Sequence, residues 1–239
     1  MFKFGFSSDN EGNIKSEENI FHTNDIKWDE STEIEPNKDR ELVKEIIEST
    51  QVNTIMSYNV EIKYLSSNEV LKILQNKQSL DDLSTLKAEH NHSDLLPAVY
   101  EGGLKIWECT FDLLNYINDN QLNFEHKNVL DLGCGAGIIG ILSLLKGSTC
   151  YFQDYNSDVI RYITIPNVLL NAKDSLNRCK FFCGDWQSFS YLLETDLSKD
   201  ESKFDYIFTS ETIYNIENYA KLHHVFEKLL KKNGAMYPF

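Results

Sequence analysis

The 239-residue chain is predicted to be an α/β protein built on a doubly wound parallel sheet, and three observations predict it. From Tyr100 onward, short apolar strand signals alternate with helical ones. A glycine-rich turn follows the first of those strands, and polar residues stand at the ends of the next three. Strand and helix in strict turn imply parallel strands joined by right-handed crossovers, with helices covering both faces.

The part before Tyr100 has a different texture. Residues 1–50 hold thirteen Asp or Glu against six Lys or Arg, and from Asp9 to Glu35 the stretch is polar with isolated Phe21, Ile26 and Trp28. It reads as tail or extended arm. Pro36 opens a helix in which Leu42, Val43, Ile46 and Ile47 share a face, and Val60, Ile62 and Tyr64 then alternate as a strand. A second short helix fits Asn68 to Gln75, and Lys77 to Asp94 is polar again. Residues 1–92 are therefore expected to be an acidic, partly disordered lobe with short helices and little cohesion, and residues 93–239 to be the sheet domain.

Within that domain, Gly102 to Asn118 reads as a helix with Ile106, Cys109, Leu113, Leu114 and Ile117 on one face. Strands are expected at Asn128 to Leu132, Thr149 to Phe152, Lys180 to Cys183 and Asp205 to Phe208. Helices are expected at Ile138 to Leu145, Asp158 to Asn171 and Tyr219 to Lys231, with a kink or fresh start at Pro166. Asn233 to Phe239 begins a fifth strand and stops, and Pro238 would remove a ladder donor from a strand that ought to be central. The expectation is a sheet truncated after the fourth strand or at the start of the fifth, with one flank of its core uncovered.

Composition narrows the function. A net charge of −14, of which −8 lies in residues 1–92, argues against a broad electrostatic grip on nucleic acid. It leaves a basic protein partner open. No apolar run approaches the roughly 18 residues of a membrane span, and the opening Met-Phe-Lys-Phe-Gly-Phe lacks a signal-peptide core, so an intracellular protein is expected. The five cysteines are read as reduced thiols. No paired Cys-x2-Cys clusters occur, so no metal site is expected.

The informative run is Asp131-Leu132-Gly133-Cys134-Gly135-Ala136-Gly137-Ile138. A dinucleotide fingerprint would need glycine at position 138. Asp131, Gly133, Gly135 and Gly137 instead give Asp-x-Gly-x-Gly-x-Gly, which resembles motif I of the class I methyltransferases. After the second strand comes Gln153-Asp154-Tyr155-Asn156, where a carboxylate about twenty residues past the loop can accept two ribose hydroxyls. After the third comes Gly184-Asp185-Trp186, an acceptor and an aromatic face suited to adenine. After the fourth comes Thr209-Ser210-Glu211-Thr212-Ile213-Tyr214, where a methyl group would be presented. Each alone is also a helix cap, Asp185 in particular.

Val99-Tyr100-Glu101-Gly102-Gly103-Leu104-Lys105-Ile106-Trp107-Glu108-Cys109-Thr110, preceded by Ser93-Asp94-Leu95, resembles the hallmark of the eukaryotic histidine protein methyltransferases. Phe152 to Asn156, Ile165-Pro166-Asn167-Val168 and Thr209 to Asn215 are similar to the same family. The resemblance covers roughly residues 93–235. It implies S-adenosylmethionine as cofactor, a histidine of a large-subunit ribosomal protein as substrate, and work in cytoplasm and nucleus. It also implies that Ile106, Trp107, Glu108, Cys109, Thr110, Gly133, Gln153, Asp154, Tyr155, Gly184, Asp185, Trp186 and Ser210 contact the cofactor, beside Asp131 and Gly135 of the glycine loop. The alternative for Trp107 and Cys109 is helix core.

A sulfonium carries its own leaving group, so the protein mainly aligns a nucleophile and excludes water. A lysine nucleophile must first lose a proton, at about 4–5 kcal/mol near pH 7, whereas imidazole is mostly neutral there. A histidine methylase needs an acceptor that fixes the ring tautomer, and Glu211 and Tyr214 are the candidate catalytic residues. The alternatives are that Glu211 orients the cofactor's amino group, that Tyr214 only packs, and that substrate backbone supplies the acceptor. Another class I methyltransferase, acting on lysine, a small molecule or RNA, and a non-catalytic binding module are the competing readings.

Overall fold

The computed structural model describes residues 28–77, 83–90, 95–96 and 98–239. Its centre is a six-stranded sheet in the order β1-β6-β5-β4-β7-β8: β1 Thr32–Glu33, β4 Asn128–Leu132, β5 Thr149–Asp154, β6 Cys179–Cys183, β7 Phe204–Thr209 and β8 Leu230–Pro238. The pairs β4–β5, β5–β6, β4–β7 and β7–β8 are parallel, and β1 joins the edge at β6 antiparallel. Strand order reverses beside β4, and such a switch point opens a crevice at the carboxyl ends of the strands.

The crossovers are helical. α5 Ile138–Leu145 links β4 to β5, and α8 Trp186–Glu194 links β6 to β7. α9 Tyr219–Leu229 leads into β8. Between β5 and β6 the chain runs through α6 Ser157–Val159, a wide π turn at Ile160–Thr164 and α7 Ile165–Ala172. Pro166 stands in the first turn of α7. A proline there has no N–H to offer the preceding turn, so a helix arriving from Ser157 must widen before it restarts.

Alternating side chains feed two cores. Val129, Phe152, Phe181 and Phe208 face α5 and α7, while Leu130, Leu132, Phe182 and Ile207 face α8 and α9. Burial on both faces explains why these strands read as near-continuous apolar runs.

The described front segment differs from the expected loose lobe. It holds α1 Arg40–Ser49, the hairpin β2 Val52–Ser57 with β3 Val60–Leu65, α2 Ser67–Lys77 and α3 Ser84–His90. Ile34, Ile46, Ile62, Leu65, Val70, Leu74 and Leu86 are buried in the same core as Val129 and Phe152. Asn167 and Asn171 of α7 bond the hairpin, accepting from the Leu65 and Lys63 amides at 2.9 and 2.8 Å. The expected disorder before residue 28 and the Ser93-Asp94 start of the hallmark lie outside the described residues.

Two further expectations change. Residues 102–107 are not helix: Gly102 has φ +85, and α4 Glu108–Asp119 begins only after Trp107. The fifth strand is formed over nine residues from Leu230 rather than beginning at Asn233. Pro238 is its last residue, opposite Thr209, so the missing donor falls at the strand end, and Phe239 N–H resumes bonding to Thr209 O at 3.0 Å. Among the described residues no helix is long and apolar enough to cross a membrane.

Candidate active site

The turn after β4 is buttressed by the elements around it. Gly135 has φ +48, and a Cβ there would sit 3.0 Å from Gly103 O. The loop and residues 102–103 thus press backbone to backbone, in a left-handed conformation that glycine tolerates best. The carbonyls of Gly135 and Ala136 accept from Thr164 Oγ1 (2.7 Å) and Asn167 Nδ2 (2.9 Å), so the π turn and the Ile165-Pro166-Asn167 run buttress the loop. Asp131 accepts from the Gly140 amide at 2.8 Å, pinning strand to helix.

Asp154, at the end of β5, accepts from the amides of Gly135 (2.9 Å) and Asn156 (3.2 Å). A carboxylate has further lone pairs to offer a ligand. Burial pushes Asp154 up to about 6, against the pull of those two amides. Burial likewise lifts Asp131 to about 7.

Gln153 is fully buried, donates to Gly184 O (2.8 Å) and accepts from Trp186 Nε1 (3.1 Å). It holds the next strand end in place without lining the cleft. Asp185 does two things at once. One oxygen caps α8, accepting from Gln187 and Ser188 amides, and the other takes Lys221 Nζ at 2.5 Å. The helix-cap reading of Asp185 is therefore correct, and the residue still lines the cleft.

Beyond β7, Glu211 adopts φ +56, a strained setting for a non-glycine residue. It is held by its N–H to Phe239 O at 2.7 Å. A hydrogen bond to Glu211, ahead of burial, pushes the Cys109 thiol up to about 11. The Tyr214 hydroxyl donates to Glu101 in a short bond, and burial first, then that carboxylate, raises its pKa well above the usual phenol value. Thr110 and Ser210 hydroxyls meet at 3.4 Å.

These groups converge on one cleft. Of the expected residues, Ile106, Trp107, Thr110, Asp131, Gly133, Gly135, Asp154, Tyr155, Gly184, Asp185, Trp186, Ser210, Glu211 and Tyr214 line it; Glu108, Cys109 and Gln153 do not. Sequence reasoning missed Trp28, Glu101, Gly102, Gly103, Lys105 and Asn218, among others. No sequence signal pointed to the first, although all three tryptophans of the chain line this cleft. Among the described residues, five that line the cleft are carboxylates (Glu101, Asp131, Asp154, Asp185 and Glu211), of which Asp185 is paired with Lys221, against one lining cation, Lys105, which lies over the Trp107 ring. Such a lining favours a cationic ligand over a diphosphate. Among the described residues, no group of three or more His, Cys, Asp or Glu is placed to hold a metal ion.

A doubly wound sheet with this glycine loop and an acidic crevice at its carboxyl edge is the architecture of the class I methyltransferases, whose methyl donor is S-adenosylmethionine. A family model described as lysine methyltransferase matches residues 97–238, and the chain belongs to that family. It is 45% identical over 175 residues to the histidine protein methyltransferase 1 homolog of Bos taurus, covering 63% of this chain and 46% of that protein. The homolog of Dictyostelium discoideum is 45% identical over 145 residues, covering 61% and 45%. The chain thus spans about half the length of these curated relatives. A solved S-adenosylmethionine-dependent methyltransferase from Agrobacterium tumefaciens superposes with TM-score 0.49 at 12% identity, covering 80% of this chain and 53% of that one.

Proposed function

We propose that this chain is an S-adenosylmethionine-dependent protein-histidine N-methyltransferase whose substrate is a histidine of a basic large-subunit ribosomal protein, met in cytoplasm and nucleus. The acidic cleft is the observation that carries the cofactor assignment, because a sulfonium and an α-ammonium both gain from surrounding carboxylates. The residues fit the group. Backbone contact between Gly135 and Gly103 leaves no room for side chains at the loop, Asp154 keeps acceptor capacity for a ribose diol, and Trp186 and Tyr155 supply ring surface.

When bound, the cofactor supplies an electrophilic methyl group with its own leaving group. The chain's own residues then have three tasks. Residues 102–107, folded back through Trp107 Nε1 to Gly102 O at 3.2 Å, shield the cleft from water. Ser210 and Thr110 stand where polar groups are needed beside the reacting end. In this reading Glu211, exposed at the rim, accepts the N–H of an incoming imidazole and so fixes which ring nitrogen keeps its lone pair. Tyr214, whose hydroxyl donates to Glu101, packs as a wall of the cleft and keeps a lone pair that can accept a hydrogen bond.

The names of the relatives support histidine as acceptor, and the description of the family model keeps lysine as the second reading. Labelled methyl transfer onto ribosomal proteins, followed by hydrolysis to amino acids, decides between them. Methylhistidine is the expected product. Methyllysine alone would establish the second reading, and no transfer with intact cofactor binding would leave a binding module.

A further inference from the structure

We propose that residues 28–34 are part of the ligand site and that Trp28 supplies an outer stacking surface for the base of the bound nucleoside. The proposal rests on the cofactor assignment above and extends it to a segment outside the 97–238 match.

The arm runs across the ends of β5 and β6, where the base of an extended ligand belongs if its reacting end lies by Ser210 and Glu211. Asp185 N–H donates to Asp29 O at 2.9 Å, and Asp29 N–H donates to Tyr155 Oη at 3.2 Å. Ser31 N–H donates to Ser188 Oγ at 2.8 Å, and Thr32 and Glu33 pair with Cys183 and Phe182. The crossing is so close that a Cβ on Gly184, at φ +102, would stand 2.6 Å from Glu30 O and Ser31 Cα. Only glycine lets the arm pass there.

Trp28 is set into this crossing. Its ring meets Tyr155 edge-on at 5.5 Å, and Lys221 Nζ lies 3.7 Å from its centroid while pairing with Asp185. That ion pair is largely buried, with side-chain exposures of 16% and 11%, a setting in which a cation over an indole binds most firmly. The latch holds a large flat ring at the cleft with Tyr155, Asp185 and Trp186. Aromatic rings fixed in advance stack bases without loss of side-chain freedom.

Calorimetric titration with S-adenosylhomocysteine and with methylthioadenosine tests this. The second ligand keeps base and ribose but lacks the amino-acid end. Trp28→Ala is expected to weaken both by about tenfold or more, and by the same factor, while Trp28→Phe stays within about threefold of the parent. If Trp28→Ala does not fold, Trp28→Leu keeps the bulk without the ring and is expected to lose about fivefold or more. Gly184→Ala, which displaces the arm without touching the ring, should mimic the loss. Binding by Trp28→Ala, or by a folded Trp28→Leu in its place, within about twofold of the parent overturns the proposal and leaves the cofactor reading standing. Failure of the parent chain to bind either ligand overturns both.

Discussion

The two walls of the cleft are held in different ways. The glycine-loop wall sits between the buried ends of β4, β5 and β7 and is tied by buried hydrogen bonds: Asp131 on Gly140, Asp154 on Gly135, Thr164 on Gly135 and Asn167 on Ala136. The arm wall hangs on a two-residue edge strand, a few backbone bonds and the Lys221 latch. A site built this way has a rigid half that sets geometry and a half held by fewer bonds, whose local opening costs less than that of the glycine-loop wall, which suits a ligand that must enter and leave on each turnover.

The largest effect is expected in the rigid half. Asp154→Asn should weaken S-adenosylhomocysteine by about a hundredfold, because an amide cannot replace a charged acceptor shared with two backbone amides. The same change should alter how the stability of the ligand-free chain responds to pH. Burial raises Asp154 to about 6, so the folded state holds a proton that the unfolded state has released at lower pH. Stability is then full below the ordinary aspartate value and is lost as pH rises through about 6. Urea unfolding should find stability falling more steeply from pH 4 to pH 8 in the parent than in Asp154→Asn, by up to about 3 kcal/mol; parallel pH profiles would mean the carboxylate is not strained.

Asn167→Ala probes what joins the rigid half to the front segment. It strips a buried acceptor from Leu65 and a donor from Ala136, and should cost about 2–3 kcal/mol in urea unfolding. A cost below about 1 kcal/mol would show that the hairpin leans on the sheet domain without bracing the loop.

A smaller effect is expected from pH. Affinity for S-adenosylmethionine should rise about tenfold between pH 5 and 8 as Asp154 and Asp131 ionise through about 6 and 7. Calorimetry on Asp154→Asn should flatten the lower part of that profile. Smallest is Lys221→Met, which removes the latch charge but keeps the α8 cap. About a threefold rise in the dissociation constant is expected, and a loss as large as that of Asp154→Asn would erase the distinction between the walls.

Much of the rigid half is legible residue by residue. The strand at Asn128–Leu132 and the helix at Ile138–Leu145 coincide with the predicted spans, and the other three inner strands begin or end within two residues of theirs. Burial on both faces produces apolar runs that announce themselves. The hairpin strand Val52–Ser57 went unread because its turn holds Tyr58 at φ +54, where a hairpin normally shows glycine or asparagine. Residues 102–107 misled in the other direction, since Ile106 continues the helical spacing of α4 while Gly102 and Gly103 break the backbone.

What the sequence by itself determined is the alternation of elements, the glycine loop and the polar strand ends, because each is set by neighbours within a few residues. The tertiary structure alone decided that Asp185 is both cap and cleft residue, that Cys109 answers to Glu211, and that a lone Trp28 in an acidic stretch comes to rest between Lys221 and Tyr155. Those partners lie far from Trp28 along the chain. No local pattern encodes such pairings; they follow from closing the sheet, which brings its carboxyl ends to one edge and leaves that edge open for the arm to cross.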